Sequence, residues 1–341
     1  MARIFLTGAS GYIGGDVLHL LATQHPEYKL SLLVRDAAKG REISSSYKDV
    51  EILHGDLDDA DILTQAVSKV DVVLHLAATG HLASVQTIHK ALAAAENKSP
   101  AYWIQISGAS ALAAGELADP SRVPGSGSDV VYDDLDGIEA IRSVIRKHPA
   151  RAVDNYVLDT VSSTPQVKAA LVFPPIIYGT GRGPVNQRSV QIPELARVTL
   201  ERKRGLQVGE GLSSWGNIHI RDVSELFVKL TEKAVERTAD ERLWNQNGLY
   251  LTGIAELPFG EISKRVAAAA VKQGLIPTDD VDQLNAVDSD KLLPHGTVLY
   301  GTNARSKARR AKELVGWAPQ HETLEEDIPR TVEAEAEQLG L

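Results

Sequence analysis

Three glycines at intervals of three, Gly8, Gly11 and Gly14, carry the strongest chemical signal in this 341-residue chain. They follow a short apolar run and open a segment with helical spacing, with Ser10, Tyr12 and Ile13 between them. A glycine at the first position permits a sharp turn. At the second it lets a phosphate approach the backbone, and at the third it lets helix and strand pack closely. The helix start then offers unpaired N–H groups and a partial positive charge, which suits a dinucleotide pyrophosphate. About twenty residues on, the second apolar run ends in Arg35. An acidic residue at that strand end would bind ribose hydroxyls and select NAD. A guanidinium instead matches a 2′-phosphate, so NADP is expected. NAD is the alternative, with Asp36 on the ribose.

These residues need a frame that brings turns to one edge. Apolar runs at Ile4–Leu6, Leu30–Val34, Val50–Leu53, Val70–Leu76, Trp103–Ile106 and Val167–Phe173 alternate with helical spacings. Ile13, Val17, Leu20 and Leu21 form one such spacing, and Ile88, Leu92 and Ala95 another. Nearly continuous apolar strands alternating with helices predict a parallel sheet covered on both faces. The expected fold is therefore α/β, a doubly wound Rossmann sheet over residues 1–175. A smaller, mostly helical lobe would occupy 176–341, with some segments returning to the sheet. Residues 116–128, rich in Pro, Gly, Ser and Asp, read as a loop.

Composition narrows the function. A net charge of −9 argues against a nucleic-acid partner, which wants a basic stripe. The absence of cysteine removes thiolate chemistry and cysteine metal sites, and no His, Asp or Glu cluster has metal-ligand spacing. The N-terminus runs straight into a strand, and no apolar stretch would span a membrane. A soluble cytosolic protein with a small-molecule substrate is expected, a homodimer being allowed.

The glycine spacing resembles that of the extended and atypical short-chain dehydrogenase/reductase superfamily. Further segments fit in order: Gly55-Asp56-Leu57, Leu74 to Ala78, Ile106 to Ser110, Phe173 to Gly179, Trp215 to Val223, and Leu314 to Pro319. More closely, the chain is similar to fungal epimerase-like or NmrA-like reductases, which implies a tailoring role in secondary metabolism. The resemblance implies cofactor contacts at Asp56, Leu57, Leu76, Ala77, Ala78, Pro174, Pro175 and Ile177. It also implies a catalytic serine, Ser107 or Ser110. The loop 179–189 would begin the substrate lobe, with Tyr178, Asn186 and Arg188 as substrate contacts. His75 and His219 read as strand-end histidines satisfying local groups, and Asp222 as a helix cap.

One departure stands out. The superfamily pairs a catalytic tyrosine with a lysine four residues later, which lowers the phenol pKa. Tyr132 is favoured by its spacing from the serines, yet Asp136 is four residues on. Tyr156 has Thr160 there. The expected activity is NADPH-dependent reduction of a carbonyl or conjugated group without that lysine. The rivals are a nucleotide-sugar epimerase or dehydratase holding NAD, and a cofactor-binding redox sensor without turnover.

Overall fold

In the computed structural model, which describes residues 1–94 and 100–341, seven strands form one all-parallel sheet. They are β1 (Arg3–Thr7), β2 (Lys29–Val34), β3 (Val50–His54), β4 (Val72–His75), β5 (Ala101–Ile106), β6 (Val167–Phe173) and β7 (Leu249–Leu251). Their spatial order is β7-β6-β5-β4-β1-β2-β3. The order reverses beside β1, and in such sheets ligands bind beyond the carboxyl ends of the strands at that point. All residues of β4 and of β5 are buried, as expected where helices cover both faces. Phe5, Trp103 and Phe173 fill the core between sheet and helices. The helical position Ala95 lies outside the described residues, and the helix before it spans Leu82–Ala93.

The chain crosses between the two lobes in both directions. Residues Val131–Asp133 pair with Arg305–Lys307, tying part of the first half to the C-terminal lobe. Conversely, the helix Ile220–Val235 packs on the first helix, Tyr12–Gln24, and β7 completes the main sheet. His25 Nε2 meets Glu232 Oε1 at 2.9 Å across that helix pair. The lobe itself is helical, with small sheets threaded through it. The strand Ser214–His219 lies between Ile176–Tyr178 and Ala255–Pro258. Its last helix, Leu324–Leu339, starts with a reciprocal capping box between Thr323 and Glu326, which satisfies two donors at its N-terminus.

Among the described residues, no helix is long and apolar enough to cross a membrane.

Candidate functional site

Two adjoining cavities, each of about 390 Å³, line the carboxyl edge of the sheet and share Gly11 and Leu76. The first is polar. It is bounded by Gly8, Ser10, Arg35, Asp56, Leu57 and Ala77. Its shape depends on the glycine turn. Gly8 has φ +86°, and a Cβ there would come within 2.7 Å of the Leu76 carbonyl carbon. A Cβ on Gly14 would sit 2.2 Å from the Gly8 carbonyl oxygen, so only glycine lets the helix start so close to β1. Gly11 caps the first helix without any side-chain hydrogen bond, leaving the first-turn N–H groups for a ligand. This cradle fits the pyrophosphate of NAD(P).

Arg35 faces this cavity, whereas the Asp36 carboxylate turns away to cap the next helix. Its Oδ1 accepts from the backbone N–H of Ala38 at 2.7 Å and of Lys39 at 3.2 Å. Those N–H groups hold the Asp36 carboxyl below its usual range. Asp56 Oδ1 accepts from the Asp58 N–H at 2.8 Å, which keeps the turn after β3 in place. The Ala78 carbonyl accepts from Gln105 Nε2 at 3.3 Å and joins the chain after β4 to β5.

The second cavity is apolar. Tyr12, Ile13, Leu76, Ala109, Ser110, Pro174, Pro175 and Ile177 form one wall. The facing wall comes from the C-terminal lobe, at Val190, Gln191, Trp215 and Leu299. Of the two candidate serines, Ser110 lines this cavity, while Ser107 is buried behind it. Arg151, at the start of the helix Ala152–Asp159, donates to both, through Nη2 to Ser107 Oγ (3.1 Å) and Nη1 to Ser110 Oγ (3.3 Å). Its Nε donates to Asp154 Oδ2 at 2.8 Å, and Asp154 is 1% exposed. Burial raises the Asp154 carboxyl pKa, against the pull of Arg151 and Ser107. Neither Arg151 nor Asp154 was anticipated from the sequence. The available signal was an Arg–Asp pair at i, i+3 opening the helix before β6.

Neither candidate tyrosine lines this cavity. Tyr156 is two residues beyond Asp154, and residues so spaced do not share a helix face. Its hydroxyl meets His89 Nδ1 at 2.9 Å on the helix Leu82–Ala93, and His89 Nε2 meets Thr164 Oγ1 at 2.8 Å. Tyr132 is held by the pairing of Val131–Asp133 with Arg305–Lys307 and packs half-buried against the core. Burial raises both phenol pKa values.

The three expected substrate contacts lie together, outside the apolar cavity. Strand alternation sends Ile177 to the apolar cavity and Tyr178 to the opposite side. There the Tyr178 hydroxyl donates to the Glu322 carbonyl at 2.9 Å. Tyr178, Asn186 and Arg188 line a separate cavity of about 520 Å³ against the last helix. Arg188 is held by Glu335 at 2.7 Å and Glu194 at 2.8 Å, and Asn186 Oδ1 accepts from the Arg188 N–H. The loop that carries Asn186 and Arg188 also folds onto the glycine-turn helix. Arg182 donates to the fully buried Asp16 through N (2.7 Å), Nε (3.0 Å) and Nη2 (2.7 Å). Burial alone would raise the Asp16 pKa, but these bonds and the charge bring it down.

His75 is buried between Thr7 Oγ1 at 2.7 Å and Ser84 Oγ at 3.1 Å, and burial pushes its pKa down to about 3. His219 caps the helix Ile220–Val235 by accepting from the Arg221 N–H, a role expected of Asp222. Asp222 instead receives the Gln320 N–H and the His321 ring, anchoring the segment before the last helix. Among the described residues, no group of three His, Cys, Asp or Glu side chains could hold a metal ion.

A profile of the NAD dependent epimerase/dehydratase family matches residues 4–244. The chain belongs to that family. An oxidase, ucsJ, of Acremonium sp. is 36% identical over 346 residues, covering 99% of each chain. An uncharacterised protein of Saccharomyces cerevisiae is 25% identical over 328 residues, 96% of this chain and 97% of its own. Among solved structures, the dTDP-glucose 4,6-dehydratase DesIV of Streptomyces venezuelae, with NAD bound, superposes with a TM-score of 0.67. It is 16% identical, with 99% of this chain and 98% of that one covered. UDP-glucuronic acid 4-epimerase of Bacillus cereus gives 0.65 at 14% identity, with 99% of each covered. Such distant likenesses speak for the fold alone. As an extended short-chain member of the epimerase/dehydratase family, the protein is an NAD(P)-dependent enzyme of oxidoreductase type.

Proposed function

We propose that the chain is an NADPH-dependent oxidoreductase acting on a carbonyl or conjugated group of a small, largely apolar organic molecule. The apolar cavity carries this reading, because none of the described residues lining it is charged. A nucleotide sugar brings a second diphosphate, and burying uncompensated charge is costly. An apolar molecule meets no such penalty against Ile177, Val190, Trp215 and Leu299.

The adenosine and pyrophosphate would lie in the polar cavity, on Gly8, Ser10, Gly11, Asp56 and Leu57, and the nicotinamide against Pro174, Pro175 and Ile177. When bound, the cofactor supplies or accepts a hydride. The preference for the phosphorylated form rests on Arg35 facing the cavity while the Asp36 carboxylate is engaged by a helix start. The name of the Acremonium relative, an oxidase, favours a second reading in which the same site runs towards oxidation.

The test is NADPH oxidation against a panel of apolar aldehydes, ketones and enones, run beside UDP-glucose and dTDP-glucose with NAD. Turnover within the apolar panel is expected. Conversion of a nucleotide sugar, or cofactor binding with no turnover of any compound in either direction, would overturn the reading.

A further inference from the structure

Gln191 opens the helix Gln191–Arg202, lines the apolar cavity and is only 7% exposed. Its Nε2 donates to the Leu299 carbonyl at 2.8 Å, which fixes the amide with Oε1 turned from that carbonyl. Oε1 has no donor among the described residues, yet it is not one of the polar atoms sealed in the core. The surface left to it faces the cavity. The main chain around it is held as firmly. The Tyr300 hydroxyl donates to the Gln191 carbonyl at 2.8 Å, and Ser213 Oγ donates to the Tyr300 carbonyl at 2.8 Å. Arg122 Nη2 donates to the Gly301 carbonyl at 3.0 Å, steadying the same segment. Other polar side chains on the wall are turned to the protein: Tyr12 donates to the Gly179 carbonyl, Ser189 to that of Ile177 and Trp215 to that of Thr302.

We propose that Gln191 Oε1 is the specificity-determining acceptor of the apolar cavity. The substrate class is then an apolar molecule that carries a neutral hydrogen-bond donor, a hydroxyl or an amide-type N–H. This rests on the oxidoreductase reading above. Gln191 belongs to the wall supplied by the C-terminal lobe, across from Pro174, Pro175 and Ile177. The donor therefore lies on the part of the substrate turned away from the nicotinamide, and it takes no part in hydride transfer.

An amide oxygen has two lone pairs, and in an open cavity solvent satisfies them. A ligand that fills the cavity without a donor removes that water and leaves the acceptor unpaired. The desolvation cost then exceeds what an ordinary hydrogen bond gains. Sites built to bond a hydroxyl or N–H reject analogues lacking it far more strongly than they sort apolar bodies by a methylene. A ligand carbonyl finds no partner in this amide, because Nε2 is already given to Leu299. An ammonium donor fails for a different reason. The described residues lining the cavity carry no charge, and burying an uncompensated cation is costly.

The experiment measures binding of unreactive probes to the full chain saturated with NADP, near neutral pH. 2-Naphthol is compared with 2-methoxynaphthalene and with naphthalene, which separates loss of the donor from a clash with the added methyl. Indole against 1-methylindole repeats the comparison for an N–H. The donor-bearing probe of each set should bind about 5- to 50-fold tighter, the range for pairing a buried acceptor against leaving it unpaired. Gln191→Leu should bring that ratio to within about twofold of one. NADP affinity and the circular dichroism melt report whether the variant folds, and Gln191→Met replaces it if the leucine lowers the melt. Equal binding within each set, no binding of any probe, or a preference that persists in the folded variant would overturn the proposal. A hydroxyl preference without an N–H preference would narrow the class to hydroxylated substrates and still support it. The carbonyl panel keeps the two readings apart. A preference lost in Gln191→Leu, with no NADPH oxidation by any compound, sinks the reductase and leaves the acceptor site. Ketones and enones reduced with no probe preference leave the reductase and sink the acceptor site.

Discussion

The polar and apolar cavities are of equal volume and share two residues, yet the chain builds them by different means. The polar one is lined entirely from residues 7–81, by turns that follow β1, β2, β3 and β4. The apolar one draws on positions from Gly11 to Leu299 and needs both lobes. Phosphate recognition uses backbone groups at a tight turn, and a few adjacent residues suffice for it. Substrate selection uses side chains facing a common space, and that space exists only once the lobes have packed. The difference also separates how each half fails when altered.

The largest effect is expected in the shared glycine turn. Gly11→Val places a side chain where the cofactor must approach, at a φ of −90° that valine tolerates. NADPH affinity should fall by more than about 1,000-fold, the loss of roughly 4 kcal/mol of contacts, while the melt is little changed. Titration by fluorescence together with circular dichroism checks it. Retained binding would break the assignment of the polar half.

Next is the clamp between the halves. Arg182→Ala leaves Asp16 buried and unpaired, and should destabilise the fold by about 3–5 kcal/mol. Urea unfolding measures this, and a loss under 1 kcal/mol or so would mean that the loop is not fixed by the pair.

Arg35→Ala sharpens the polar side alone. NADPH affinity should drop by about 10- to 100-fold, matching roughly 1.5–3 kcal/mol for hydrogen bonds to a charged group, with NADH affinity unchanged. Equal losses for both cofactors would point to a structural role.

A smaller effect is expected from His75, under the polar cavity. Its folded pKa of about 3 lies below the unfolded value near 6.5. Between these values the unfolded chain binds a proton that the folded chain refuses. Stability present above pH 6.5 or so is therefore lost as pH falls towards about 3. The urea midpoint should fall less between pH 7 and 5 in His75→Asn than in the parent.

The smallest effects test the apolar side. Tyr132→Phe and Tyr156→Phe should each turn over within about twofold of the parent, since proton transfer by a positioned group is worth about 100-fold or more and neither phenol lines the cavity. A large loss in either would restore that tyrosine as the proton donor.

The strand–helix alternation and the glycine turn were legible because both are local. The apolar runs of β1, β2 and β5 fall within one or two residues of the strand ends, and that of β6 matches its strand at both ends. Arg35 and Asp36 were legible as neighbours, but only the folded turn shows which faces the cavity. Tyr132 was favoured by spacing from a serine, a one-dimensional measure that takes no account of which way a side chain faces, and Tyr156 was the second candidate. Helical phase turns Tyr156 towards His89 and brings Arg151 and Asp154 to Ser107. Tyr178 lines a different cavity from Ile177 for the matching reason in a strand, where one step along the chain reverses the face.

What the sequence by itself determined is the sheet, its switch point and the cradle at its edge. Glycine backbone freedom, helix-start N–H groups and apolar periodicity all act within a few residues. What only the tertiary structure decided is the apolar cavity, the arginine behind its serine and the burial of the basic loop against Asp16. Each depends on side chains distant in sequence competing for the same partner. Arg182 and Arg188 look available in the sequence, and neither is free in the fold, because buried carboxylates at Asp16 and Glu335 hold them there.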